Sequence, residues 1–487
     1  MSAILAVFNR NGVPLEPGLL ERILRSQTAQ AVDGEDTLVD GPIGLGRQHF
    51  WITPEEQGER QPLVFAAAGL ALVADVRLDN RQELAQALGL APAVAAAHSD
   101  SHLIALAYAR WGTDCVDHLL GDFSFILWDQ KQQHLFAARD PLGTRGLTYY
   151  VDRSLLVAAT EISHILAHPA VEPRINDLRV AQFLNFTFDE EEQSFYQDVL
   201  YLPPAHCLLV TSGDARKWRY WELDPERRIR YASDGDYAEH YYELLARAVR
   251  DRLRTTGKIG LSLSGGLDSS TLAAMLAREA GPEQHPLRSF SYVFDELTGC
   301  DERRYIQQTV DRHGYNATYL PCDDRWTFRD FERWPVLRDF VAFDPFAWLP
   351  EAVIQAAHAA GCRLLFSGSY GDVIFTGGRF WLHSLLAEGR LLELLRVLQA
   401  SSGAIRWRRL LVDDGLYRYA PAWARQIAKQ AMGRAAPPMH PALHPDLVRR
   451  TACAAANGSG AAPSADSRPA AAIRRSVYLK LYNQGAA

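Results

Sequence analysis

A seven-residue loop, SGGLDSS at residues 264–270, constrains the fold more than any other feature of the sequence. A short apolar run at 259–263 precedes it and predicts a buried strand. A stretch at about 269–280 follows it and predicts a helix, which Gly281 and Pro282 end. The two loop glycines let the backbone bend tightly and approach a ligand closely. A strand, a tight loop and a helix N-terminus together predict a cradle for phosphate or pyrophosphate.

Asp268 lies within this loop, where its carboxylate would repel a bare phosphate. Its presence therefore predicts an intervening Mg²⁺. Ser264, Ser269 and Ser270 add hydroxyl groups to the cradle. The loop lacks the lysine of a Walker-type loop and the glycine spacing of a dinucleotide-binding loop, so it predicts neither of those sites. The structural alternative is a plain Ser/Gly turn in which Asp268 caps the following helix.

Beyond about residue 238 the chain alternates predicted strands and helices, which indicates a parallel sheet with helices on both faces. A second loop, SGSYGD at residues 367–372, follows another apolar strand predicted at 363–366. Ligands bind beyond the carboxyl ends of parallel strands, near the point where the strand order reverses. The two loops are therefore predicted to meet there, so that Asp268 and Asp372 share the magnesium.

Residues 3–221 give a different pattern, in which short runs of branched and aromatic residues are separated by turn signals. This pattern predicts an antiparallel sheet protein, with helices at 81–88 and 101–111 packed on it. Two domains are therefore expected, one at 1–210 and one at 230–487. A length of 487 residues is enough to build a core for each of them.

The charge balance argues against nucleic acid as a partner. With 51 basic and 58 acidic residues, the formal net charge is −7, so the chain has no overall attraction to phosphate backbones or anionic membranes. No stretch approaches the ~18 uninterrupted apolar residues of a membrane span, and the first residues do not resemble a secretory signal. The six cysteines are widely spaced and suggest neither a zinc site nor a disulfide framework. The expectation is a cytoplasmic protein without a membrane partner, and its oligomeric state is left open.

The sequence resembles a known family at several motifs. Residues 264–270 resemble the PP-loop of ATP pyrophosphatase-type enzymes, and their pairing with 367–372 resembles the synthetase domain of the asparagine synthetase family. Further family landmarks lie in the first half of the chain, among them 78–84, 121–125 and 139–143. The resemblance implies an α+β domain of the Ntn-hydrolase type, an αββα sandwich, followed by a parallel α/β PP-loop domain. The implied activity is that of an AMP-forming carbon–nitrogen ligase that uses ATP and Mg²⁺.

The same resemblance assigns roles to individual residues. It gives the catalytic and metal-binding roles to Asp268 and Asp372. The residues that it implies for binding ATP and pyrophosphate belong to the two loops, to the residue before the first loop and to the strand predicted at 287–294: Leu263, Ser264, Gly265, Gly266, Asp268, Ser269, Ser291, Ser367 and Gly368.

The glutaminase-like domain departs from the family pattern at its catalytic positions. Glutamine-using members carry cysteine directly after the initiator methionine, where this chain has Ser2. The family's Asn-Gly oxyanion pair aligns with Asp75 and Val76, and a carboxylate there would repel a developing oxyanion. Loss of a single oxyanion donor raises the barrier by roughly 2.7–4 kcal/mol. We therefore expect a retained scaffold that no longer hydrolyses glutamine.

Without glutamine hydrolysis, the amine must come from the substrate or from solution. Two branches of the family work in this way, the β-lactam synthetases and the lasso-peptide macrolactam synthetases, and residues 75–81 resemble the second more closely. This implies a ribosomal precursor peptide and its leader-processing protein as partners. Two alternatives are a glutamine-hydrolysing asparagine synthetase and a degenerate scaffold that binds a nucleotide or peptide without catalysis. A family motif expected near the C-terminus is not recognisable, so we expect the second domain to be truncated or degenerate there.

Three further charged residues have less definite roles. Asp301 and Glu302 open a helix predicted at 301–313 and could steer substrate or cap that helix. The capping role is favoured, because acidic side chains stabilise helix N-termini. Arg47 could bind a carboxylate or form a surface ion pair.

Overall fold

The computed structural model describes residues 2–26, 33–184, 192–224, 227, 229–326, 329, 346, 348–369, 371, 385, 389–393 and 396. The strands of the first domain are β1 Ala3–Asn9, β2 Glu35–Asp40, β3 Ile43–Gln48, β4 Leu63–Phe65, β5 Leu70–Leu78, β6 Gly121–Asp129, β7 His134–Arg139, β8 Thr148–Val151, β9 Leu155–Ala159, β10 Val199–Tyr201, β11 His206–Val210 and β12 Ala215–Arg219. Its helices are α1 Leu19–Leu24, α2 Arg81–Leu88, α3 Pro92–Ala97, α4 Asp100–Trp111, α5 Ile162–Leu166 and α6 Asp177–Leu184.

The second domain has strands β13 Lys258–Ser262, β14 Arg288–Val293, β15 Asn316–Pro321 and β16 Cys362–Ser367. Its helices are α7 Asp234–Asp251, α8 Leu267–Glu279, α9 Arg303–His313 and α10 Trp348–Ala359. Of the helices in the described ranges, none is both long enough and apolar enough to cross a bilayer.

Two six-stranded antiparallel sheets form the first domain, in the orders β10-β8-β9-β1-β3-β2 and β12-β11-β7-β6-β5-β4. Side chains of β5 alternate between the two sides of its sheet. Leu72 and Ala74 pack with residues of α2 and α4, whereas Ala71 and Val73 pack with the first sheet. Residues of α1 and α5 cover the outer face of that first sheet. These layers form an αββα sandwich, which confirms the predicted fold class.

A four-stranded parallel sheet, in the order β15-β14-β13-β16, forms the second domain. Leu261 of β13 is fully buried in a cluster to which α7, α8 and α9 contribute. Phe290 of β14 packs with residues of α10, in a separate cluster. Helices therefore cover both faces of the sheet, and the predicted parallel α/β class is confirmed.

The strand order of this sheet reverses next to β13. From β13 the chain moves outward through β14 to β15, and then returns to place β16 on the other side of β13. Ser262 of β13 is level with Ser367 of β16, so the two strands end together. Because they are parallel, the loops that follow them leave the same edge of the sheet, at the switch point.

Charged side chains join the two domains. Arg252, just beyond α7, donates hydrogen bonds to Asp79 at 2.7 Å and to Asp122 at 2.9 Å. Arg254 donates to Asp100 at 3.0 Å. These contacts tie the segment leading into β13 to the end of β5 and to its neighbours in the first domain.

Candidate active site

The first loop is shaped by hydrogen bonds between its own residues. Ser269 Oγ accepts a hydrogen bond from the Ser264 N–H at 3.2 Å and donates one to the Ser264 carbonyl at 3.0 Å. Gly266 is extended (φ −77°, ψ 161°) and takes the N-cap position, so α8 begins at Leu267. Asp268 therefore lies inside the helix, and the alternative in which it is the N-cap is wrong. The first N–H groups of a helix have no acceptor within it, so those of α8 are available to an anion.

Ser291 fixes the backbone at the start of this loop. It lies on β14 and is 2% exposed, and its Oγ donates a hydrogen bond to the Leu263 carbonyl at 2.7 Å. The Leu263 N–H donates to the Phe290 carbonyl at 3.0 Å, and the Leu263 side chain lies in the core. The structure thus makes Ser291 a positioning residue for the loop. Contact of nucleotide with Ser291 and Leu263 stays a prediction.

The second loop lies directly against α8. A Cβ atom placed on Gly368 would be 2.8 Å from the Ser269 backbone nitrogen. One placed on Gly371 would overlap with Asp268 Oδ2. Such close approaches are possible because glycine has no side chain. The structure therefore brings the two loops together, whereas Asp372 lies outside the described residues and its share of the metal stays a prediction.

Asp268 is the carboxylate that could hold Mg²⁺ at this junction. Its Oδ2 lies against Gly371, and the hydroxyl oxygens of Ser264 and Ser269 are 2.9 Å apart. Mg²⁺ prefers oxygen ligands and is often held by one or two carboxylates together with substrate phosphates and waters. In the part of the chain that the structure describes, no three His, Cys, Asp or Glu side chains form a metal-binding group. The Asp268 carboxylate and the neighbouring hydroxyl groups are oxygen donors of the kind that fits a Mg²⁺ bound jointly with phosphate.

The prediction that the Glu302 side chain caps the following helix is wrong. It precedes α9 but makes no capping hydrogen bond. Instead, its Oε2 accepts a hydrogen bond from the Gly265 N–H at 2.8 Å. Asp301 accepts one from the Phe294 N–H at 3.1 Å, and α9 begins only at Arg303. No sequence signal predicts the Glu302 contact, because 37 positions separate the two residues.

Tyr241 is a second residue near the first loop that the sequence pattern does not indicate. Burial, together with the negative charge of Asp268, raises the pKa of its hydroxyl. The Tyr241 hydroxyl is therefore close enough to Asp268 for its pKa to respond to that charge.

Replacing Gly368 with alanine is expected to weaken ATP binding by about tenfold, because the new Cβ would push the second loop away from Ser269. Overpacking of this kind typically costs ~1–3 kcal/mol, and ~1.4 kcal/mol corresponds to tenfold in affinity. Titration calorimetry with ATP and Mg²⁺ measures the change. Gly299→Ala is the matched control, since a Cβ there meets nothing within 4 Å. Equal ATP affinities in the two variants would contradict a role for the contact between the loops.

Ser2, which the resemblance predicts at the nucleophile position of a glutaminase, is 1% exposed. Its Oγ accepts hydrogen bonds from Arg47 Nη2 at 3.0 Å and from the Phe50 N–H at 3.1 Å. Arg47 is completely buried and forms ion pairs with Glu56 at 2.9 Å and Glu59 at 3.3 Å. The alternative in which Arg47 forms an ion pair at the surface is therefore wrong. Its charge is matched by two carboxylates of the chain itself.

The pKa values of the two glutamates are shifted in opposite directions. Burial raises the pKa of Glu56, although Arg47 opposes that shift. Burial also acts to raise the pKa of Glu59, but hydrogen bonds from His102 and Ser99, with the charge of Arg47, bring it down to about 2. Glu59 is therefore ionised at all ordinary pH values and keeps Arg47 paired.

Asp75 and Val76 face opposite sides of β5, as successive residues of a strand do. The Asp75 carboxylate lies 3.4 Å from Arg145 Nη1, and both side chains are buried. Val76 packs among the core residues that α2 and α4 cover. A fixed carboxylate paired with arginine offers no hydrogen-bond donor of its own to an oxyanion. Loss of glutamine hydrolysis at these positions stays a prediction.

Comparison with known proteins finds a family match for each half of the chain. Residues 1–221 match the glutamine amidotransferase domain, and residues 240–483 match asparagine synthase. Amidase chry2 of Gibberella zeae is 28% identical over 349 residues, which are 69% of this chain and 51% of that protein. Asparagine synthetase 3 (glutamine-hydrolyzing) of Bacillus subtilis is 30% identical over 285 residues, 58% of this chain and 46% of that protein. The chain thus spans about half the length of these curated relatives.

Among solved structures, glutamine phosphoribosylpyrophosphate amidotransferase from B. subtilis covers 77% of this chain and 93% of its own, with 13% identity and a TM-score of 0.34. That likeness is too low to support an argument. The match to asparagine synthase covers half of the chain and includes both Gly/Ser loops, and the amidotransferase match covers the αββα sandwich before it. The chain therefore belongs to the asparagine synthetase family.

Proposed function

We propose that this chain is an ATP-dependent, AMP-forming ligase that joins a carboxylate to an amine of the same peptide, as a lasso-peptide macrolactam synthetase does. The observation that carries the proposal is that Ser2 is buried and that its Oγ accepts hydrogen bonds from the Arg47 side chain and from the Phe50 N–H. A domain closed at this position supplies no ammonia from glutamine, so the amine has to arrive with the substrate. The junction of the two loops at the switch point supports the adenylating half of the reaction.

The chemistry assigned to the first loop is carboxylate activation. A substrate carboxylate oxygen attacks the α-phosphorus of ATP, the bond to pyrophosphate breaks, and an acyl-adenylate forms. The Gly266 turn and the first N–H groups of α8 would stabilise the charge on the departing pyrophosphate. Asp268 and, in this proposal, Asp372 would hold Mg²⁺, which when bound neutralises phosphate charge. The amine then attacks the acyl carbon and loses a proton, and AMP leaves.

Ring closure within one peptide gives this reaction a large entropic advantage. A peptide folded so that its amine lies next to the activated carbonyl can supply ~7–11 kcal/mol of the barrier through proximity alone. Water has to be kept out meanwhile, because it would hydrolyse the acyl-adenylate. A ribosomal precursor peptide and its leader-processing protein are the partners that we propose. We also propose a cytoplasmic location, where reducing conditions would keep the five cysteines of the described ranges unpaired, as they are here.

The test is AMP formation from ATP and Mg²⁺ with two kinds of substrate, candidate peptides and aspartate. Peptides with a free α-amine and an internal Asp or Glu are expected to yield AMP and a product lighter by one water. Asparagine formation from aspartate with ammonia or glutamine would favour a glutamine-hydrolysing asparagine synthetase, the activity named for the B. subtilis relative. ATP binding without AMP or pyrophosphate exchange for any acceptor would favour the non-catalytic scaffold.

Glutamine is expected to remain intact in the presence of the wild-type protein, because the Ser2 hydroxyl is held by Arg47 and Phe50. Ser2→Cys is expected to stay inactive as well, since its sulfur would occupy the same closed position. A coupled assay for glutamate, with Ser2→Ala as the blank, measures this. Glutamate release by the wild type that Ser2→Ala abolishes would contradict the proposal and support the asparagine synthetase alternative.

A further inference from the structure

An acidic side chain of the chain itself occupies part of the anion cradle. Glu302 Oε2 accepts the Gly265 N–H at 2.8 Å, and Gly265 is the first glycine of the loop. A Cβ atom placed on Gly265 would be 3.1 Å from Glu302 Cβ and 3.0 Å from Tyr305 Cβ. The start of α9 therefore packs on the loop. The Glu302 carboxylate already accepts a hydrogen bond from one of the backbone N–H groups of the loop.

Among the described residues, no basic side chain neutralises the charge of the Glu302 carboxylate. Glu302 is solvent-exposed, and among the described residues no arginine or lysine forms an ion pair with it. The neighbouring Arg303 pairs instead with Asp295 and Asp301. A carboxylate held mainly by a loop N–H is an acceptor of the same kind as a phosphate oxygen. A phosphate bound in the cradle would therefore compete with Glu302 for the Gly265 N–H.

We propose that Glu302 is a specificity-determining residue for the first loop, a displaceable cap that yields to a magnesium-bound polyphosphate and rejects smaller or metal-free anions. This inference rests on the proposed binding of ATP pyrophosphate by the same loop. A polyphosphate with its metal offsets the loss of the Glu302 contact through several further contacts, and the metal reduces repulsion between the two anions. Orthophosphate has neither advantage.

The test compares pyrophosphate binding by the full chain with and without Mg²⁺, measured by titration calorimetry. Glu302→Gln removes the charge and keeps the side-chain size. Without Mg²⁺, it is expected to bind pyrophosphate about tenfold more tightly than the wild type, the effect of one charge-assisted hydrogen bond. With Mg²⁺ the gain is expected to be smaller. Orthophosphate is expected to show measurable binding only to Glu302→Gln.

Asp311→Asn is the matched control, because Asp311 lies on the same helix, is exposed, and accepts a hydrogen bond from Gln307 away from the loop. This variant is expected to bind pyrophosphate as the wild type does. Suppose that the wild type binds Mg·ATP but Glu302→Gln binds pyrophosphate no more tightly than the wild type does. That result would overturn the inference and leave the proposed function standing. Absence of Mg·ATP and pyrophosphate binding in all three proteins would overturn both.

Discussion

Replacing Asp268 with alanine is expected to reduce substrate-dependent AMP formation by about 10³-fold or more, because the loop loses the carboxylate that would hold the metal on pyrophosphate. Asp268 is half-buried and lies against Gly371, so its removal leaves the second loop without its contact. Folding is expected to survive, since an acidic residue in the first turn of a helix contributes only ~0.3–1 kcal/mol. Initial rates of AMP release, followed by chromatography, measure the loss.

Two variants separate charge from shape in this experiment. Asp268→Asn keeps the size of the side chain and is expected to lose nearly as much activity as Asp268→Ala. Asp234→Ala removes an exposed acidic residue from the first turn of α7 and is expected to keep full activity. AMP release by Asp268→Asn at the wild-type rate would show that the carboxylate charge is not needed, and the assignment of the first loop would fail.

The meeting of the two loops could be predicted because it depends on local signals and topology. A run of strand, glycine loop and helix indicates one βα unit, and parallel strands end at a common edge. The boundaries were less predictable, since they depend on individual hydrogen bonds. Helix α8 begins at Leu267 because Gly266 takes the N-cap position, and α9 begins at Arg303 because Asp301 and Glu302 bind elsewhere.

The interior of the first domain shows what a sequence pattern does not indicate. Arg47 lies between Gly46 and Gln48 near the end of β3, and nothing local distinguishes a buried arginine from an exposed one. Its burial depends on Glu56 and Glu59, which lie beyond the strand and return to it only in the folded chain. Likewise, the contact between Glu302 and Gly265 exists only once α9 packs on the first loop. The contacts of a charged residue are therefore not predictable from the sequence where its partners meet it only in the folded chain.

Replacing Arg47 with methionine is expected to destabilise the first domain by about 3–5 kcal/mol, because two buried carboxylates would lose their common partner. Arg47 is 0% exposed, and the side chains of Glu56 and Glu59 are 5% and 7% exposed. For a domain of this size, the loss lowers the unfolding midpoint by roughly 10 °C. Calorimetric thermal unfolding measures it, and Arg60→Met is the control, since Arg60 is 84% exposed and pairs only at the surface with Asp36.

A triple variant decides whether charge or packing is responsible. Arg47→Met combined with Glu56→Gln and Glu59→Gln removes the uncompensated charges, so it is expected to recover much of the stability that Arg47→Met loses. If the triple variant is no more stable than Arg47→Met, lost packing explains the effect. If Arg47→Met unfolds at the wild-type midpoint, Arg47 is not a structural residue, and the alternative in which it binds a substrate carboxylate is favoured instead. The thermal stability of Arg47→Met therefore tests whether the buried pairing of Arg47 with Glu56 and Glu59 stabilises the first domain.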